Sequence, residues 1–403
     1  MNKQNNHFQV KRILLQTLDP LHVGTGGNRL GRVDNSIVRE PGTKLPKIPG
    51  TALHGAIRQY AAYRYGKPRC AGQGQASKGR EGHCGRPTCP ICYTFGAISG
   101  EQSFSGVVNI SDARILLFPV YSMVGPVWVT SPTALQDAGL GNHQMVPDKA
   151  RWGGSGSDEL PTDKPLNLGW LMVEREGRLP SLSWSDGNNI PEQVKKRTVL
   201  VSDKLFSQIV NSNLEVRTSV SINPETGAAE DGALFTYEAI PRATILWFDV
   251  IVDDFRGAFP SKNMWSDICQ ELEKNLPDEL PDSPVKSEKI LHELGYIPKR
   301  PSCDNEGHDE DCKKKVIKYW KQVKDAHKMC KNVLQMLEWN TPSDVVSLGL
   351  EWAAHLGIGG MGTRGFGRIK QVGCFIAREM DTIKCTDDSN TTTLPAAGEG
   401  GAS

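Results

Sequence analysis

The sequence predicts an α+β fold built on an antiparallel sheet. Candidate strands and helices are interspersed along its 403 residues. Candidate hairpins outnumber clean strand–helix–strand units, which argues against a doubly wound parallel sheet. Hydrophobic residues make up 38 % and charged residues 23 %, an ordinary balance for a folded chain long enough to bury a large core.

The elements follow in order. Residues 8–18, FQVKRILLQTL, are rich in branched apolar residues and read as a strand, which Pro20 and the glycine-rich HVGTGGNRLG end. Residues 33–38, VDNSIV, form a short extended piece. Residues 48–66 read as a helix capped by Thr51, with Leu53, Ala56, Ile57, Tyr60 and Ala61 on one face. Residues 67–92 form a loop rich in Gly, Arg and Cys. Strands follow at 106–120, 125–131 and 170–175, around a polar, irregular stretch at 135–168. Residues 202–210 read as a short capped helix. EVRTSVSI and GALFTYEAI flank NPETGAAED as a long hairpin with a polar tip. Residues 244–252 are a strong buried strand, 264–339 are mainly helical, and 346–356 are a further helix. A glycine-rich loop then leads into RIKQVGCFIA. The tail 386–403 is polar, of low complexity and expected to be disordered. One core spanning 1–385 is expected, interrupted by insertions at 67–92, 211–241 and 264–345.

No stretch approaches twenty apolar residues, so a transmembrane helix is excluded. The N-terminus lacks the apolar centre of a signal peptide, so a cytoplasmic setting with reduced cysteines is expected. Net charge is +1, but it is unevenly spread: residues 1–92 hold fifteen Lys or Arg against four Asp or Glu. A basic segment of this kind attracts a polyanion.

Within that segment, Gly24, Gly26, Gly27 and Gly31 let backbone N–H groups approach a phosphate, and Arg29 and Arg32 add charge. No GK[ST] follows and no G-x-G-x-x-G fits, so neither a P-loop nor a dinucleotide fingerprint is present. Asp34 is one of the few acids there. A carboxylate among cations can hold a metal, take a proton from a ribose 2′-hydroxyl, or orient Arg32 or Arg39. Cys84-x4-Cys89-x2-Cys92 supplies three closely spaced zinc ligands, and Cys70, preferred over His83, is the expected fourth. Four-ligand closure implies a structural metal. Cys303, His308 and Cys312, with His327 and Cys330 beyond, form a second possible cluster. Residues 357–370 carry six glycines and three cations with no acid, so Gly360, Gly362 and Arg364 could grip a phosphate backbone without reading bases. Trp128 and Trp247 are expected in the core, and His54 on an exposed helix face.

Four patches in this order resemble the RAMP superfamily of CRISPR proteins: residues 22–59, 110–132, 223–241 and 358–370. The pattern is most similar to the backbone subunit of the type III-B Cmr effector complex, in the Cas-seven group. The resemblance implies an RNA-recognition-motif-like (ferredoxin-type) core shaped as a palm and thumb, with the 215–239 hairpin as thumb. Copies would stack head to tail along a CRISPR guide RNA beside other type III effector subunits. The complex would cut complementary target RNA at regular intervals, dependent on Mg or another divalent cation, with Asp34 matching the required carboxylate. His22, Tyr237 and Glu238 match positions near that site, and Arg39, Lys47 and Arg58 are further expected RNA contacts. The same fold could instead be a non-catalytic RNA scaffold, or a metal-independent endoribonuclease that processes guides. The cysteine-rich 67–92 insertion and a long 275–345 region depart from the family pattern.

Overall fold

The computed structural model describes residues 8–379, except 27–32, 73–81, 100–101, 154–159, 183, 185–187, 276, 278–280, 282, 294–295, 302–309 and 337. The tail expected at 386–403 lies outside the described residues. A large sheet runs in the order Ile369–Glu379, Phe8–Thr17, Ile245–Asp253, Ala113–Val120, Val127–Thr130, Thr198–Val201, Lys149–Trp152, Leu171–Gly177, Leu166–Leu168. Its first four strands are mutually antiparallel, as expected. The extension is mixed, a correction to the all-antiparallel expectation. Thr198–Val201 runs parallel to Val127–Thr130, and Leu171–Gly177 parallel to Lys149–Trp152. Parallel neighbours need long crossovers, and the polar stretch that read as irregular supplies them.

Apolar runs without alternation place strands in the middle of the sheet, covered on both faces. Ile13 and Leu15 enter one buried cluster with Leu246 and Phe248, while Leu14 and Trp247 point into a second. Helices Gly50–Arg64 and Pro342–Leu356 cover the first face. They cross closely because Gly349 has no side chain: a Cβ there would sit 2.4 Å from the Ile57 carbonyl oxygen. The second face is closed by Leu135, Ile190 and Val194, and both expected core tryptophans lie there, Trp128 donating its indole N–H to Ala243 O at 2.9 Å.

Helix Gly50–Arg64 is capped differently from the expectation. Thr51 is exposed within the first turn and Pro49 is the N-cap. The Asp112 carboxylate accepts from Gly50 N at 2.7 Å instead. That contact also breaks the single strand expected at 106–120 into Val108–Ile110 and Ala113–Val120, because Asp112 has to leave the ladder. Ser202 caps Asp203–Ser212 as its sequence predicts. The hairpin Glu215–Ile222 and Ala229–Ala239 stands apart as its own two-stranded sheet. Val216, Val220, Ile222, Leu234 and Phe235 on it are exposed. Helices Lys262–Asn275, Lys286–Glu293 and Glu310–Met336 form the late insertion, whose buried Trp265, Leu272, Tyr319 and Trp339 belong to the same cluster as the sheet's first face.

Candidate functional site

Three segments far apart in sequence meet at the base of the hairpin. Residues 23–26 and 35–38 run beside each other through Val38 N to Val23 O at 2.9 Å and Thr25 N to Ser36 O at 3.2 Å. The second arm is laid against the hairpin through Asn35 N to Thr236 O and Glu238 N to Asn35 O, both 3.0 Å. Asp34 sits at this junction with its side chain exposed. Its Oδ2 accepts from both the N–H and the hydroxyl of Thr236, each at 2.8 Å. The backbone and side-chain bonds from Thr236 hold its carboxyl below the usual carboxylate range, so it stays ionised at neutral pH. No ion pair to Arg39 orients it: that guanidinium is used elsewhere.

Glu238 is nearly buried and takes that role. Its Oε1 accepts from Arg39 at 2.5 Å and its Oε2 from Ile37 N at 3.2 Å, while Arg39 also donates to Asn211 and to Ile37 O. Both residues therefore brace the arm that carries Asp34. His22 is buried, with Nδ1 2.7 Å from Glu238 O. A carbonyl only accepts, so Nδ1 carries the proton and a neutral ring leaves Nε2 as acceptor. Nε2 points toward Gly24, where a Cβ would lie 3.0 Å away. Tyr237 packs edge-on against the His22 ring with centroids 5.7 Å apart.

The C-terminal glycine loop closes the third side. Gly360 N donates to His22 O at 2.9 Å, and Gly367 N to Pro20 O at 2.9 Å. Gly359, at φ +78°, lies so near that a Cβ would sit 2.4 Å from His22 O. Gly362 and Arg364 are exposed on the following turn. Arg217 of the hairpin lies over the Phe366 ring, 4.9 Å from its centroid, a link with no sequence signal beyond an ordinary strand alternation. Thr236 is equally invisible in the sequence as a functional residue. Gly24 and Gly26 are exposed at the mouth. Gly27, Arg29 and Arg32 lie outside the described residues.

The cysteine loop forms a separate centre. Cys70, Cys84, Cys89 and Cys92 are all buried, with their sulfurs within 4.8 Å of one another. Cys84 and Cys92 are 3.5 Å apart and Cys89 and Cys70 3.8 Å. Zinc–sulfur bonds of about 2.3 Å place tetrahedral sulfurs about 3.8 Å apart, so the cage fits that ion. Cys89 caps the short helix Pro90–Phe95, which turns Cys92 back to the cluster. His83 is not in the cage: its Nδ1 receives Ile98 N at 3.2 Å and faces Arg58.

Two further expected RNA contacts have partners within the chain, and Lys47 stays part-exposed. Arg58 is buried, and its guanidinium donates to the carbonyls of Cys70, Phe95 and Gly96, tying the cysteine loop to the first long helix. Lys47 pairs with Asp112 at 2.5 Å. His54, expected exposed, is half-buried edge-on against Phe95. Among the described residues the second expected cluster is only partly present. Cys312 and Cys330 lie on one helix, Glu310–Met336, about 27 Å apart at 1.5 Å per residue. The Cys330 thiol instead hydrogen-bonds with that of Cys269. Cys303 and His308 lie outside the described residues. No helix among the described residues is long and apolar enough to cross a membrane.

The family model for the RAMP superfamily matches residues 14–370, which spans all of these segments. The chain belongs to the RAMP superfamily. This RAMP protein is similar to the CRISPR system Cmr endoribonuclease Cmr4 of Pyrococcus furiosus, 29 % identical over 255 residues, which cover 59 % of this chain and 80 % of that protein. It is also similar to the CRISPR system Cms endoribonuclease Csm3 of Methanothermobacter thermautotrophicus, 32 % identical over 108 residues, 26 % of this chain and 39 % of that protein. Among solved structures, the type III-B Cmr-beta apo state matches with a TM-score of 0.45 at 14 % identity, covering 61 % of this chain and 85 % of that one. Oligomeric Cmr4 from Pyrococcus furiosus matches with a TM-score of 0.40 at 21 % identity, covering 64 % and 89 %.

Proposed function

We propose that this RAMP protein is the RNA-binding backbone subunit of a type III CRISPR ribonucleoprotein, and that it cuts target RNA at Asp34. The observation that carries the reading is the Asp34 carboxylate, exposed and held by two bonds from Thr236 at the foot of a projecting hairpin. The named activities of the similar Cmr4 and Csm3 proteins support it. So does the antiparallel order of strands Ile369–Glu379, Phe8–Thr17, Ile245–Asp253 and Ala113–Val120, with two helices on one face, which suits a ferredoxin-type core.

In this reading the hairpin is the thumb, and its exposed apolar side chains lever one nucleotide out of the guide–target duplex. The freed ribose brings its 2′-oxygen in line with the adjacent phosphorus. Attack forms the 2′-O–P bond and breaks the P–O5′ bond, the 2′-proton passing to Asp34 or water and O5′ taking one from water, which leaves a 2′,3′-cyclic phosphate and a 5′-hydroxyl. Alignment alone lowers such a barrier substantially. Asp34 could hold a divalent cation or take the 2′-proton. A bound divalent cation would supply charge stabilisation of the phosphorane. Gly24, Gly26, Gly360 and Gly362 offer backbone to the strand, and Arg364 offers charge. The backbone copies stack head to tail on the guide, beside other effector subunits.

The four-cysteine cage holds a structural zinc. Four thiolates around Zn²⁺ leave a net charge of about −2. Buried Lys67 and Arg58 lie beside it and offset that charge.

The deciding experiment is cleavage of guide-complementary RNA by the assembled complex carrying Asp34→Ala. Loss of cutting with RNA binding retained supports the assignment. Normal cutting removes Asp34 from the chemistry. EDTA abolishes cutting in this reading and leaves a metal-independent, guide-processing enzyme active.

A further inference from the structure

A second basic feature lies far along the chain from Asp34, on the late helical insertion. Helix Glu310–Met336 carries Lys318, Lys321 and Lys328, all exposed. At about 100° per residue these three fall on one side of the helix, spread over about 15 Å. Met329 and Asn332 share that side. There the helix meets the ends of Gly50–Arg64 and Pro342–Leu356 and encloses a cleft of about 410 Å³. Its walls include Tyr63, Arg64, Lys328, Met329, Asn332 and Trp352.

The chemistry of the cleft is specific. Tyr63 and Met329 are exposed by 44 % and 43 %, so an aromatic face is open to a ligand, while the Met329 sulfur rests against Gly66. The Arg64 guanidinium lies 5.9 Å from the Trp352 ring centroid, and one of its nitrogens pairs with Glu351 at 3.4 Å. Its Nε is buried without a hydrogen-bond partner. Asp325 also lines the cleft. A carboxylate there opposes a phosphate but accepts from a base amino group or a ribose hydroxyl. A cleft of a few hundred Å³ holds a small planar group. Aromatic faces next to a line of cations are the arrangement that binds single-stranded nucleic acid, bases stacked and phosphates tracked.

We propose that this cleft takes one unpaired ribonucleotide base and that Lys328, Lys321 and Lys318 carry the phosphates of the strand leading to it. The chain then has an RNA-binding site on the helical insertion, separate from the Asp34 site. The lysine line favours a strand over a free nucleotide, because a mononucleotide in the cleft reaches only Lys328.

The test uses the full chain and a single-stranded RNA octamer containing 4-thiouridine. After irradiation, cross-linked peptides are mapped. The expected result is a cross-link within 58–66, 321–333 or 350–354. Tyr63→Ala and the combined K318E/K321E/K328E variant each weaken it at least fivefold, with cross-links at the 215–239 hairpin unchanged. Octamer binding by the triple variant also loses about two from the slope of log affinity against log salt, as three phosphate contacts require. Two outcomes overturn the proposal. One is no cross-link in those segments, as when the face meets protein instead. The other is a cross-link that neither variant weakens, or that adenosine monophosphate displaces as well as unlabelled octamer does. Neither outcome bears on cutting at Asp34, which the cleavage assay reads separately.

Discussion

Asp34 and Thr236 are joined by a reciprocal set of bonds: Thr236 donates its N–H and hydroxyl to one carboxylate oxygen, and Asp34 N lies 3.0 Å from the Thr236 hydroxyl oxygen. Those bonds belong to a strand register, Asn35 opposite Tyr237, that no local sequence pattern specifies. They fix both the direction of the carboxylate and its ionisation.

The pH dependence of cutting follows from that pair. Bonds to the charged form hold the Asp34 carboxyl below its ordinary value, so the ionised form persists as pH falls until the depressed value is reached. Thr236→Val keeps the shape and removes the hydroxyl. The acid limb of the cleavage rate should move to higher pH in that variant, with RNA affinity unchanged in a filter-binding titration. An unmoved acid limb would separate Asp34's ionisation from the reaction.

Metal analysis tests the cysteine cage. About one zinc per chain is expected, lost in Cys89→Ser and retained in His83→Ala. Removal by a chelator should lower the unfolding temperature and open the segment around Cys84–Cys92 to proteolysis, because the metal is one of its ties to the core. Zinc lost equally in both variants would place His83 among the ligands.

Arg58 gives a contrast between stability and binding. Arg58→Leu strands the three carbonyls it serves, a cost of about 3 kcal/mol in a urea titration. RNA affinity of the folded fraction should stay within about twofold of wild type, since this guanidinium is turned inward. A large affinity loss in correctly folded protein would return Arg58 to the RNA contacts.

The glycine loop offers a matched pair. Gly359→Ala drives a Cβ into His22 O in a left-handed backbone region, at about 1–3 kcal/mol, and should also slow cutting by displacing His22. At Gly362 a Cβ would meet nothing nearer than Leu356 O at 3.8 Å, so Gly362→Ala should be near neutral in thermal unfolding. Equal effects from the two would mean that the loop does not depend on its contact with His22.

Much of this architecture is legible in the sequence because its signals are local. The apolar runs around Ile13–Leu15 and Ile245–Phe248, the turn chemistry at Asn223, and the spacing of Cys84, Cys89 and Cys92 each act within a few residues. Sequence and structure part where a distant group competes. Thr51 has the chemistry of a cap, but Asp112 supplies one from elsewhere. Arg39, Lys47 and Arg58 each have a partner that the sequence does not show: Glu238, Asp112 and the Cys70 carbonyl. Cys312 and Cys330 cannot share one ion for an equally plain reason: the segment between them is a continuous helix.

By itself the sequence determined the secondary structure of the central strands and three of the four cysteines of the cage, because periodicity and ligand spacing are properties of short stretches. Only the tertiary structure decided which charges face outward and which are spent inside. It set Glu238 against Arg39 and Ile37, His22 against the Glu238 carbonyl, and Tyr63, Lys328 and Trp352 around one cleft. Those outcomes depend on register and on helix crossing. Both are set by how whole faces pack, over separations that no short window of sequence contains.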